Sequence, residues 1–252
     1  MPTWRALHAE ALKLRRTLAL RLAIWMPLLM VALQFLMAWQ SGVRPIFEGE
    51  TPWMRLMQQI LVFWCLLVLP LFVTLETALL AGLEHNNRQW KHLFGLPVPR
   101  GSIYAAKQVA AGVLIGISMA VLAAGTLLAG WGLRFLLPGA GFEAPPPWRA
   151  FLVRCAMVYL GAWFLLAIQC WVGLRWRSFV VAVSAGIVLT VAGMFIVNAE
   201  WGHLYPWALP GLIANEFSKG AAIPLARVLF GGLGGLLAAF VGGWEMTRRD
   251  VM

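Results

Sequence analysis

Residues 179–197 read FVVAVSAGIVLTVAGMFIV, a run without a single charged side chain. A helix of about 20 apolar residues is long enough to cross the hydrocarbon core of a bilayer. Because lipid offers no partner for backbone polar groups, an apolar run of this length must be helical. The stretch therefore predicts a transmembrane helix.

Further apolar runs fill most of the remaining chain. Hydrophobic residues make up 61% of the 252 residues and charged residues 12%, about half the charged fraction of a typical soluble domain. We predict an all-α integral membrane protein that forms a single transmembrane domain over residues 1–252. The six predicted spans are residues 20–39, 58–82, 105–133, 150–173, 179–197 and 224–244.

The net charge of +10 follows the predicted topology. If the N-terminus is inside, thirteen of the 20 Lys and Arg residues fall on the inner side of the membrane. Positive residues concentrate in cytoplasmic connections, so we predict that both termini are cytoplasmic. The same placement accounts for the net positive charge, so that no nucleic-acid partner is needed to explain it.

Residues 3–18 carry an apolar stripe opposite a basic face. Trp4 and Leu18 fall on one side at helical spacing, while Lys13 and Arg16 fall on the other. Such a pattern suits the anionic inner leaflet, so we predict an N-terminal interfacial amphipathic helix in contact with membrane lipids. The alternative is a basic extension of the first span without a bend.

Motifs for chemistry are missing from the sequence. It contains no G-x-x-x-x-G-K-[ST] phosphate loop, no H-E-x-x-H pattern and no G-x-S-x-G pattern. The cysteines, Cys65, Cys155 and Cys170, all fall in predicted spans and lack metal-ligand spacing, which favours a packing role. We therefore predict no catalytic residues and no metal site.

One acidic residue, Glu76, lies within a predicted span. It is six residues from the predicted inner end of the second span, which places it only about 9 Å deep. Ionisable residues inside membranes are costly and often functional. Glu76 is therefore either an interfacial acid paired with a nearby Lys or Arg, or an intramembrane acid with a proton or substrate role.

Small residues recur every four positions in two spans. Gly112 and Gly116 begin such a ladder in the third span, and Gly231, Gly235 and Gly243 belong to one in the sixth. Ladders of this kind let helices pack closely where lipid removes the hydrophobic driving force. The partner helix lies either in the same subunit or in a second copy.

The connection between the second and third spans, residues 83–107, is the largest on the inner side. Residues 84–94 suit a short helix that carries an acid in its first turn and is followed by Gly95. An amphipathic helix with large aromatic side chains at the inner face suits a groove on a soluble partner. The alternative is a helix that lies flat on the lipid headgroups.

Three stretches resemble the membrane (permease) subunits of ABC-type exporters. They are LPVPRGSIYAAK from Leu96, EALKLRRTLALRL from Glu10 and YPWALP from Tyr205. The last stretch and the six spans resemble the lantibiotic-immunity and bacitracin-resistance branch, with a type V exporter fold. The proline-containing loop at 134–149 is longer than expected for a minimal member of that family.

This resemblance implies that residues 83–94 are a coupling helix that docks on a separate ABC ATPase subunit. By the same resemblance Glu84 matches the family acid, Arg100 the arginine after the prolines, and Lys107 the lysine that opens the third span. ATP and Mg would be bound by the ATPase, so that this chain needs no cofactor. The predicted docking residues are Glu84, Arg88, Trp90, Lys91, Leu93, Phe94 and Arg100.

The resemblance further implies a second permease copy or a homologous permease, in the plasma (inner) membrane of a bacterium. On this basis the chain is expected to be the permease subunit of an ATP-driven exporter for an amphipathic or peptide-like substrate, for example in antimicrobial peptide resistance. The alternatives are an ATPase-coupled sensor without substrate flux and an ion-coupled secondary carrier. An intramembrane enzyme is disfavoured because no catalytic constellation is present.

Overall fold

The structure is a computed structural model that describes residues 17–43, 50–86, 100–176, 178–216 and 224–248. Every regular element in these ranges is a helix. Six helical stretches are long and apolar enough to cross a membrane, at Leu18–Ser41, Pro52–Gly82, Gly101–Leu136, Trp148–Arg175, Phe179–Ile196 and Leu225–Arg248. The predicted all-α class and the six spans are therefore confirmed.

The first span begins at Leu18. Thr17, directly before it, has an extended backbone with φ −92° and ψ 155°. A straight helix through residue 17 would need helical angles there, so the alternative of an unbent basic extension is wrong. Residues 3–16 of the predicted interfacial helix lie outside the described residues.

The second span begins at Pro52, six residues earlier than predicted. Thr51 caps this helix, because its side-chain oxygen accepts a hydrogen bond from the Met54 N–H at 3.2 Å, and Pro52 suits the first turn. The prediction began too late because Arg55 and the glutamines after it make the first turns polar. A π-helical turn, Trp64–Val68, interrupts the span before its inner part, Leu69–Asn86.

Contacts between the spans define two ends of the bundle. At one end Thr247 of the sixth span lies against Gly101 of the third, and we call this end the inner end, after the predicted cytoplasmic side. At the outer end the indole Nε1 of Trp53 donates a hydrogen bond to the Phe142 carbonyl at 3.2 Å. The second and third spans therefore run in opposite directions, and so do the third and sixth.

The segment between the fifth and sixth spans contains a 3₁₀ turn, Gly202–Leu204, and a short helix, Leu209–Asn215, which we call the outer helix. The aromatic residues and prolines at 198–223 predict a segment of short broken helices in the outer membrane interface. Instead, Leu209 and Ile213 are fully buried within the protein, where the outer helix packs against the fourth and second spans. Its prolines and aromatic residues are compatible with either location.

The fourth span is two helices rather than one. Trp148–Gly161 ends and Trp163–Arg175 begins on either side of Ala162. The absence of a side chain at Gly161 lets the outer helix pack closely against this break, because a Cβ at that position would lie 2.3 Å from Ile213 Cδ1. The break thus meets the outer helix and, as described below, the sixth span.

Candidate functional site

The spans that flank the predicted coupling helix are joined at the inner end. Lys107 of the third span is 2% exposed, and its Nζ donates a hydrogen bond to the Leu80 carbonyl of the second span at 3.3 Å. The helix of the second span ends at Asn86, and that of the third begins at Arg100. A displacement of the connection between these two helices would therefore move the second and third spans together.

The docking residues themselves are only partly described. Arg88, Trp90, Lys91, Leu93 and Phe94 lie outside the described residues. The structure places the backbones of residues 84 and 100 in the helices on either side of the connection and describes neither side chain. The docking surface therefore stays a prediction.

A second group of polar residues fastens the fourth and sixth spans at the inner end. The Trp171 Nε1 donates a hydrogen bond to Glu245 Oε2 at 2.7 Å, and Arg175 forms an ion pair with Glu245. The Arg175 guanidinium also lies 5.5 Å from the centre of the Trp176 ring, within reach of a cation–π contact. The sequence gives no sign of this group, because its members are about 70 residues apart and no local motif links them.

Glu76 is buried by the protein itself. Its side chain is 1% exposed, on a helix face with Leu69, Phe72 and Leu80 that packs into the main apolar core. It lies six residues before Gly82, where the apolar span ends, and the helix continues to Asn86. The carboxyl group is therefore surrounded by protein rather than by lipid headgroups.

Neither carboxyl oxygen of Glu76 has a hydrogen-bond partner among the described residues. A buried polar group without a partner destabilises the folded chain, and an ionised carboxylate does so most. Such a group is retained in a membrane span mainly where it serves a function. Glu76 is therefore the candidate proton-carrying or substrate-contacting group of this chain.

Replacing Glu76 with leucine tests whether its carboxyl group is a cost to the fold. We expect Glu76→Leu to raise the free energy of unfolding by about 1–3 kcal/mol, the usual cost of an unsatisfied buried polar group, and Glu76→Gln to change it less, because the amide is itself polar. Thermal melting of the purified chain measures this, with the same changes at the exposed Glu200 as the control. A lower melting temperature for Glu76→Leu would mean that the carboxyl group has a stabilising partner.

The sixth-span ladder packs against the break in the fourth span of the same chain. A Cβ at Gly231 would lie 2.5 Å from the Gly161 carbonyl oxygen, and one at Gly235 would lie 2.6 Å from the Trp163 carbonyl carbon. Both distances are to backbone atoms, so even one methyl group would separate the helices. Gly243 is less crowded, since its Cβ would lie 3.3 Å from Tyr104 Cδ1.

The third-span ladder makes room for rings rather than for another backbone. A Cβ at Gly112 would lie 3.1 Å from the Trp163 ring, and one at Gly116 would lie 3.6 Å from the Tyr159 ring. These two rings meet edge to face, with centroids 6.1 Å apart. At these two positions the fourth span therefore supplies large side chains rather than backbone.

The outer helix is held in place by polar contacts from two spans. Arg154 of the fourth span is 7% exposed, and its Nη1 donates a hydrogen bond to the Ile213 carbonyl at 3.1 Å. Glu216, directly after the outer helix, forms an ion pair with Arg227 of the sixth span. Gly211 brings the outer helix against Leu66 in the π-helical turn. The outer helix thus covers the bundle at its outer end.

The described ranges contain no cluster that could bind a metal, because no three His, Cys, Asp or Glu residues in them lie close enough to hold an ion. Cys65, Cys155 and Cys170 are buried free thiols. In the part of the chain that the structure describes, several polar side chains join helices, whereas neither carboxyl oxygen of Glu76 has a partner.

A family model described as "ABC-2 family transporter protein" matches residues 6–193. The matched range is well over half of the chain and includes the first four spans, most of the fifth and the connection at 83–107. No curated protein and no solved structure matches the chain. The match and the six spans together show that the chain belongs to the ABC-2 family of transporter proteins, as a multi-pass permease subunit that associates with an ABC ATPase.

Proposed function

We propose that the chain is the permease subunit of an ATP-driven exporter and that its substrate is amphipathic or peptide-like. Two permease subunits, as two copies or as homologues, work with two ATPases in the inner membrane of a bacterium. Residues 83–94 dock on the ATPase from the cytoplasmic side, where both termini also lie. An antimicrobial peptide is the substrate class that the branch resemblance favours.

The observation that carries this proposal is the family match across residues 6–193, which includes the docking connection. The fastening of the flanking spans by Lys107 supports a mechanical link from that connection into the bundle. On ATP binding, closure of the ATPases would push on the connection and tilt the second and third spans together. The fourth and sixth spans, joined at Glu245, provide a second unit for this motion to act against.

An amphipathic substrate fits the composition of the spans. Polar groups within them are few, and most are bonded to the backbone or to each other, as in the hydrogen bond from Gln59 Nε2 to Gln34 Oε1 at 2.9 Å. A mainly apolar pathway disfavours small ions and strongly polar solutes, because their desolvation would not be compensated. It suits a substrate that itself partitions into the membrane.

One observation favours an ion-coupled carrier as the second candidate. Glu76 is buried within a span and without a partner in the described part of the chain, as a proton-carrying group would be. A carrier of this kind would move its substrate in response to a proton gradient. The family match favours ATP as the energy source.

Purification of the full chain from its native membrane tests the proposal. We expect a soluble ABC ATPase to co-purify at one copy per permease. Proteoliposomes that contain this complex should then move a fluorescent cationic amphipathic peptide only when ATP is supplied. The matched control is the same complex with a substitution in the ATPase that abolishes hydrolysis.

The outcomes separate the candidate functions. ATP-dependent peptide movement supports the exporter. Hydrolysis that responds to the peptide without moving it would identify a sensor instead. Movement driven by a pH gradient and lost in Glu76→Gln would identify a carrier and overturn the proposal.

A further inference from the structure

A groove runs along the lipid-facing surface between the third and sixth spans at the inner end. It has a volume of about 470 Å³, within the range of small-molecule sites. Val109 and Phe240 stand on its two walls, and both side chains are largely exposed. From Gly101 to Val109 the groove is about 12 Å long, most of the roughly 15 Å that one leaflet contributes to the hydrocarbon core. Its size and position suit an acyl chain that lies parallel to the helices.

The wall of the groove contains a buried tyrosine. Tyr104 is 2% exposed, and its hydroxyl accepts a hydrogen bond from Gln108 Nε2 at 3.0 Å. The Gln108 amide is itself fixed, because the same Nε2 also donates to the Ala167 carbonyl at 3.3 Å. The hydroxyl lies against buried Gly242, where a Cβ would be 2.3 Å from its oxygen. Tyr104 therefore offers the groove the side of its ring, and the wall beside it is apolar.

A positive charge lies at the inner mouth of the groove. The Arg248 guanidinium lies 3.9 Å from the centre of the Trp244 ring, and Trp244 lines the groove. This contact fixes the cation beside the opening, and an indole ring at this level is typical of the headgroup region. An exposed arginine at the headgroup level can form an ion pair with a lipid phosphate.

We infer that this groove binds one anionic phospholipid of the inner leaflet. The acyl chain lies between Val109 and Phe240, and the phosphate pairs with Arg248. The ligand is thus recognised by charge at the mouth and by apolar contact along the wall. The site begins next to the predicted docking residue Arg100 and is separate from Glu76.

Native mass spectrometry of the full chain, extracted from vesicles of equal phosphatidylglycerol and phosphatidylcholine, tests this inference. We expect one phosphatidylglycerol molecule to be retained by the wild type. Ala105→Phe and Ala239→Phe, one on each wall, fill the groove. Each variant should lower that retention at least about tenfold. Ala124→Phe, on an exposed face of the third span away from the groove, is the matched control and should retain the lipid.

The charge at the mouth is tested without filling the groove. Arg248→Gln should lower the preference for phosphatidylglycerol over phosphatidylcholine about fivefold and leave the total lipid retained unchanged. Arg134→Gln, near the opposite end of the third span, should keep the preference. Equal retention in the wild type and both filled variants would overturn the inference. A change in oligomeric mass without a change in retained lipid would also overturn it, and would identify the groove as a contact between copies.

Discussion

The double variant Gly231→Leu plus Gly235→Leu is expected not to form a stable six-span bundle. Both glycines face backbone atoms of the break in the fourth span, at 2.5 Å and 2.6 Å from where a Cβ would stand. Backbone cannot rotate away as a side chain does, so the sixth span must separate from the fourth. Overpacking costs about 1–3 kcal/mol per site and occasionally more, and here two such sites lie one turn apart.

Graded substitutions and a matched control sharpen this prediction. Gly231→Ala and Gly235→Ala should each lower the melting temperature, because even a methyl group meets backbone at these distances. Gly232→Leu, on the same helix with no atom within 4 Å of its Cβ position, should melt like the wild type. Size-exclusion profiles and thermal melting of the purified chain provide the measurements. A double leucine variant with wild-type size and melting behaviour would show that the close approach does not stabilise the bundle.

The six spans were predictable because lipid imposes a length and an apolar composition on each helix separately. No knowledge of neighbours was needed for that step. The start at Pro52 was missed because a transmembrane helix can extend beyond the apolar run when protein covers its end. Trp53, at that start, is 1% exposed, so that protein rather than lipid covers it.

Which side chains meet was less predictable, and the sixth span shows why. A four-residue period drifts by about 40° at each step of an α-helix, so that Gly243 lies about 120° from Gly231. Gly242, eleven residues from Gly231, returns to nearly the same face, and a Cβ there would lie 2.3 Å from the Tyr104 hydroxyl oxygen. A helical period of 3.6 would have found Gly242, whereas the four-residue ladder selected Gly243.

Glu76 and the outer helix show the remaining limit. The sequence gives the distance of Glu76 from a span end, but its burial depends on which spans cover that face. In the same way, prolines and aromatic residues at 198–223 signal a broken segment without telling whether lipid or protein surrounds it. Both features are set by contacts between distant parts of the chain, such as the hydrogen bond from Arg154 to Ile213.

Trp90→Ala combined with Phe94→Ala is expected to release the ATPase from the permease. If these aromatic side chains insert into a groove of the ATPase, each should be a hot spot that contributes at least about 2 kcal/mol. Their joint loss should therefore weaken binding by roughly three orders of magnitude, although hot-spot contributions are not additive. Membrane insertion should be unaffected, because both residues lie outside the six spans.

Co-purification of the ATPase with the tagged chain measures the effect, and the amount of chain in the membrane fraction controls for insertion. The matched control is Trp201→Ala combined with Phe135→Ala, the same residue types at exposed positions towards the outer end of the bundle. We expect the control pair to retain the ATPase at wild-type levels. If residues 83–94 instead lie flat on the headgroups, Trp90→Ala plus Phe94→Ala will also retain the ATPase. That result would show that the prediction of a coupling helix is wrong. Because Lys107 ties the spans on either side of the connection, loss of docking should also abolish any effect of the permease on ATP hydrolysis.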